Sequence, residues 1–107
     1  MLRSNNSYGY SDRRRAYIKT TSGGFLELIV TPDLNRSIFL FSCGGYSDKK
    51  TTLTFFDDNN EFLSFSVNGS FIFDLNGAWY CNYEKELKIR LDSLTSKGSI
   101  GLSYVLL

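Results

Sequence analysis

The chain predicts an all-β domain: an antiparallel β-sandwich of about eight short strands, jelly-roll connections being one way to join them, preceded by an extended N-terminal arm. Three observations carry that expectation. From residue 16 onward the apolar residues recur with a period of two. Turn-forming clusters interrupt them roughly every 8–12 residues, the spacing of all-β domains. No window holds a helical period; residues 84–91 come nearest, and there strict alternation and the β-branched Ile89 favour a strand. At 107 residues the chain makes one domain, with residues 1–15 as the arm and 16–107 as the sandwich. A closed barrel is the other closure the pattern allows.

The elements follow in order. "AYIKTT" (16–21) is the first strand, broken by Ser22, Gly23 and Gly24, and "FLELIV" (25–30) is the second. "TPDLN" (31–35) turns the chain, since proline presets its own φ and Asp bonds nearby backbone. "SIFLFSC" (37–43), a loop "GGYSDKK" (44–50) and "TTLTFF" (51–56) lead to a turn at "DDNN" (57–60). "EFLSFSV" (61–67) alternates, with Leu63, Phe65 and Val67 on one side. Asn68-Gly69 is the strongest hairpin signal, because both central residues of a type I′ turn need positive φ. "SFIFDL" (70–75), a second Asn-Gly turn at 76–77 and "AWYCNY" (78–83) come next. "ELKIRLD" (86–92) turns Leu87, Ile89 and Leu91 inward, and "IGLSYVLL" (100–107) closes the chain.

Two strands carry apolar side chains on both faces. Ile38 and Leu40 oppose Phe39 and Phe41; Leu53 and Phe55 oppose Phe56. A sandwich strand with one wet face does not require this. With nine Phe and seven Tyr in the chain, Phe39, Phe41 and Phe56 are candidates for an oligomer interface. A wide Phe-rich core with some exposed rings is the alternative.

The arm gathers Tyr8, Tyr10, Arg13, Arg14 and Arg15. Tyrosines can fill pockets on a neighbour and arginines can pair bidentately with acids, so the segment reads as an intersubunit strap. Net charge is +1 over the whole chain. Nothing in the body reinforces the arginines, which does not favour nucleic acid.

The chemistry is bounded mostly by absence. With no histidine, Ser-His-Asp triads, Cys-His pairs and most zinc enzymes are out of reach. The acids sit mainly in turns, and no enzyme, metal or cofactor is expected. Cys43 and Cys81 are too few for a disulfide scaffold and read as buried free thiols. No apolar leader opens the chain and no apolar run approaches the roughly 20 residues of a membrane span, so an intracellular setting is expected. One cluster has the make-up of a sugar platform: Trp79, Tyr80, Asn82 and Tyr83 combine rings with an amide. The competing reading makes Trp79 a cap on the end of the core.

The order of "SIFLFSCGG", "TTLTFF", "NGSFIFDLNGAWY" and "NYEKELKIRLDSLTSKGSIGLSYVLL", over residues 17–107, resembles small bacteriophage virion β-sandwich proteins of the head decoration, cement or tail-associated type. The resemblance implies a structural role: a homo-oligomer, a trimer above other states, bound to other virion proteins on a capsid or tail. Such a virion would be assembled in the host cytoplasm, its arms bridging neighbours. It carries no catalytic residue across. A carbohydrate-binding module for host attachment is the alternative function.

Overall fold

A computed structural model describes residues 13–107; Tyr8 and Tyr10 lie outside them. Six strands follow one another: β1 (Arg13–Thr20), β2 (Gly24–Val30), β3 (Ile38–Asp57), β4 (Asn60–Tyr80), β5 (Leu87–Leu94) and β6 (Gly98–Leu106). All pairings are antiparallel, and the strand order is β1-β6-β3-β5-β2, with β4 pairing β3.

The expected all-β antiparallel sandwich is what forms, with six strands among the described residues in place of about eight. The difference lies in the middle of the chain. The segments 37–43, 44–50 and 51–56 are one strand of 20 residues. The segments 61–67, 70–75 and 78–80 belong to one strand of 21 residues. The turn joining the two long strands is at Asp58, whose φ is +59°, as "DDNN" predicts.

The two Asn-Gly pairs are therefore not hairpin turns, and the geometry shows what they do instead. Gly69 has φ of +79°. It lies where the β3–β4 register slips, with residues 48–50 bulging out between Ser47 and Thr51. In a straight strand Phe65 and Phe73 would stand roughly 27 Å apart. Their rings stack at 4.0 Å between centroids. The hairpin is folded over on itself at this corner, so the two halves of β4 face each other. Ser47, fully buried, donates its hydroxyl to the Lys49 carbonyl and closes the bulge.

That fold creates the two layers. The first half of β3 pairs with β6, which pairs with β1. The second half pairs with β5, which pairs with β2. Leu26, Leu28, Ile38, Leu40, Leu87 and Ile89 are among the core residues between the layers. The alternating strands keep the expected faces: Leu87, Ile89 and Leu91 are fully buried.

A bulge adjusts the alternation in β3. Phe41 is skipped in both of the strand's ladders. A bulged strand advances one residue without changing sides, so Phe41 and Ser42 both face outward and Cys43 turns into the core. Without it, a serine hydroxyl would occupy the position that Cys43 fills, completely buried. Opposite the bulge, Asn76 and Gly77 take φ of +52° and +72°. A Cβ at Gly77 would stand 3.3 Å from the Phe41 ring. Gly77→Ala is expected to cost about 1–2 kcal/mol, the strain of an L side chain in the left-handed region; urea unfolding measures it.

The arginines enter the sheet. Arg13, Arg14 and Arg15 pair with Val105, Tyr104 and Ser103, so strand β1 takes in the last three residues of the segment that the sequence assigns to the arm, and all three are exposed. Arg14 pairs with Asp33 at 3.2 Å, and the Arg13 guanidinium lies 4.3 Å from the Phe41 ring centre.

The corner is pinned from the far side by Asp48. Its carboxylate accepts N–H bonds from Thr95 (2.9 Å), Ser96 (2.6 Å) and Lys97 (2.7 Å), plus the Ser96 hydroxyl (2.9 Å). Desolvation raises its pKa, but these donors outweigh it and hold the group at about 2. A depressed native pKa means that this contribution is present above about 3.8 and is lost as pH falls through about 2. Urea melts of wild type and Asp48→Asn should therefore differ by a constant amount above pH 4 and converge toward pH 2.

Candidate functional site

The three rings proposed for an oligomer interface lie half-buried on the outer faces, each against a group of its own chain. Phe39 stacks on Tyr80 with centroids 5.0 Å apart. Phe41 lies beneath Arg13. Phe56 lies beneath Arg90 and Lys88, at 4.8 and 5.6 Å. Lys88 and Arg90 in turn approach Glu27 at 4.0 and 3.5 Å. Cation–ring contacts of this kind cover an outward phenylalanine without a second polypeptide.

Three of the four residues in the other cluster picked out by sequence, Trp79, Tyr80 and Asn82, are brought together at one end of the sandwich. β4 runs out at Trp79 and Tyr80, beside the point where β3 ends at Asp57. A pocket of about 320 Å³ opens there, lined by Asp57, Phe62, Ala78, Trp79, Tyr80 and Asn82. Trp79 is 40% exposed and Tyr80 54%. Each ring is backed by a phenylalanine: Trp79 by Phe62, centroids 6.0 Å apart and 30° between planes, and Tyr80 by Phe39. Backing fixes a ring while leaving part of its surface open, so little ordering remains to be done when something lands on it. Trp79 thus lines a pocket while stacking on Phe62, a ring that is itself packed against the core.

Tyr83 is not in the pocket. Its hydroxyl donates to Asn35 Oδ1 at 2.6 Å, while the Asn35 N–H donates to Glu84 at 2.6 Å and the Glu84 N–H to the Arg36 carbonyl at 2.9 Å. The turn holding Tyr83 is thereby tied to the 34–36 loop, and Tyr83 is a strut for the rim.

Asp57 is the residue that the sequence reading passed over as a soluble turn acid. Its Oδ2 accepts from the Asn82 backbone N–H at 3.0 Å and from Asn82 Nδ2 at 2.6 Å. Its Oδ1 is buried and has no partner among the described residues. A buried carboxyl oxygen left without a donor costs free energy, and native proteins rarely tolerate one without a reason. The oxygen belongs to a residue that lines the pocket between two aromatic rings.

Around the site, burial, reinforced by the Asp57 charge, pushes the Cys81 thiol up to about 12. Burial alone does the same to Cys43. Both cysteines are free and buried, as expected, and neither is a nucleophile at neutral pH. Among the described residues no group of three His, Cys, Asp or Glu side chains could hold a metal ion, and no helix is long and apolar enough to cross a membrane.

No protein-family model matches the chain, and no curated protein matches it. Among solved structures it is similar to TmCBM61 in complex with beta-1,4-galactotriose, at 13% identity and a TM-score of 0.32, over 92% of this chain and 83% of that one. At that score the likeness bears on neither the fold nor the ligand of this chain.

Proposed function

We propose that the protein is a carbohydrate-binding domain that takes a sugar ring at the Trp79–Asp57 pocket and does not cleave it. The observation that carries the reading is the unpartnered Oδ1 of Asp57 beside a backed, half-open indole. A sugar presents two kinds of surface at once: C–H faces, which suit an aromatic plane, and hydroxyls, which both donate and accept. Trp79 and Tyr80 suit the first. Asp57 Oδ1 needs a donor, and a hydroxyl is one. The Asn82 side-chain carbonyl has no partner among the hydrogen bonds formed by that residue's amide, and would accept from a neighbouring hydroxyl. Hydrolysis requires a second carboxyl across the bond; the pocket lining holds one, Asp57.

The test uses the sole tryptophan of the chain, Trp79. Titration with a panel of neutral mono- and oligosaccharides should give a saturable change in its emission for at least one of them, lost in Asp57→Ala. A flat response across the panel would remove the reading.

A further inference from the structure

The outer face of the layer formed by β1, β6, the first half of β3 and the second half of β4 has a built trough. Across the strands, Tyr17, Gly101, Gly44 and Ile72 stand side by side in register. Two glycines in the middle leave bare backbone as a floor, while Tyr17, 64% exposed, and Ile72, 79% exposed, stand as walls. The groove holds about 340 Å³. Its next row is Arg15, Ser103, Ser42 and Asp74.

Two further observations concern what it takes. Ser103 is 9% exposed, and its Oγ is buried with no hydrogen-bond partner among the described residues, although the residue lines the trough. The second is charge. Along β1 the outward positions are Arg13, Arg15, Tyr17 and Lys19, in steps of about 7 Å. Lys97 stands beyond them, over the Tyr46 ring. None of the four cations has a carboxylate partner among the described residues; Arg14, on the alternate position, takes Asp33.

We infer that this trough is a second binding site, for an acidic polysaccharide whose uronic-acid carboxylates pair with Arg15 and Lys19 and whose sugar ring lies on the glycine floor against Tyr17. An acidic sugar chain fits better than a nucleic acid strand. Successive bases need successive open rings, and here Phe41 and Tyr46 already carry Arg13 and Lys97, leaving Tyr17 as the open one. The hydroxyls of Ser42 and Ser103 match a hydroxylated ligand. The site shares no residue with the Asp57 pocket, so the two stand or fall separately.

Calorimetric titration of the full chain with oligogalacturonate, its methyl-esterified form and oligothymidylate tests the inference. Oligogalacturonate should bind with an affinity that falls as salt rises, and the neutral ester about tenfold or more weaker. Gly101→Val blocks the floor. A Cβ there stands 3.5 Å from Tyr17, ordinary contact, and Gly101 has no positive φ, so the strand accepts it. Binding should fall about tenfold. Arg15→Ala, a surface change that leaves the core untouched, should do the same, while Trp79→Ala should leave this affinity as it was. Equal binding of acid and ester, wild-type affinity in Arg15→Ala, tighter binding of oligothymidylate, or no binding of oligogalacturonate would each overturn the assignment.

Discussion

Phe55→Ala should lower the unfolding free energy by about 3–5 kcal/mol, the range for removing a buried ring. A domain of ordinary stability holds about 5–15 kcal/mol, so the variant falls near the edge of folding. Phe55 is fully buried. Its ring meets Phe62 and Phe65 edge-on or tilted, both with centroids 6.2 Å away, and through them it reaches the stacks onto Trp79 and Phe73 in the facing layer. The space left by the ring cannot close easily, because β3 is held by β4 along one edge and β5 along the other. The urea midpoint should drop by at least about 1 M. The adjacent residue supplies the control. Phe56 points outward under Arg90 and Lys88, so Phe56→Ala should cost only about 1 kcal/mol. Equal losses at the two positions would mean that the layers do not face each other as described. If Phe56 instead anchors a partner subunit, light scattering would show the variant changing mass while its monomer stability holds.

The alternation of apolar residues was a sound guide to the faces of strands. Leu26 and Leu28, Leu53 and Phe55, and Leu87 to Leu91 at every second residue all point where the period of two places them, and all are buried. The lengths of strands were not legible in the same way. Asn68-Gly69 carries the local signature of a hairpin because Gly69 does adopt positive φ. The same dihedral also serves a corner at which a strand continues in a new direction. What separates the two is the partner: a hairpin needs the flanking segments to pair with each other, whereas here both pair with β3. Pairing is a long-range fact, and neither the Asn-Gly pair nor its neighbours encode it. The phase change at Phe41 is hidden for a related reason, since it shows only in the register of the two ladders and in the burial of Cys43 in place of Ser42.

The candidate site was half legible. Trp79, Tyr80 and Asn82 sit together in the sequence and line one pocket in the structure. Tyr83, next in line, is drawn away by Asn35, a contact across 48 residues. Asp57 could not be distinguished from Asp58 by its surroundings in the sequence. The separation comes from the Asn82 amide groups, 25 residues further on, which hold one carboxyl oxygen of Asp57 and leave the other facing no donor. The glycine-floored trough escaped for the opposite reason: Gly44 reads as a loop residue and Gly101 as part of the closing strand, and only the register sets them side by side.

Asp57→Asn should move stability and binding in opposite directions. The amide is nearly the same size and can turn its oxygen toward Asn82, keeping both donated bonds. Its NH2 then takes the buried position that Oδ1 held. In the unliganded protein the swap replaces the unpartnered oxygen of a charged carboxylate by the NH2 of a neutral amide, which is less costly to hold away from water, so unfolding free energy should hold or rise by about 1 kcal/mol. In the complex, a hydroxyl that bonded a carboxyl oxygen now meets a neutral amide. A hydrogen bond to a charged group is worth about 1.5–3 kcal/mol against roughly 0.5–1.5 for a neutral pair, so affinity for the responding sugar should fall about tenfold. Urea unfolding and calorimetric titration on the same preparation read both quantities. A destabilised Asn variant would mean that Oδ1 finds a donor within the folded chain. An unchanged affinity would mean that the sugar, if it binds, is held without Asp57. The opposed pair of shifts is what an oxygen reserved for a ligand predicts: the unmet bond that weakens the empty protein is the one the sugar completes.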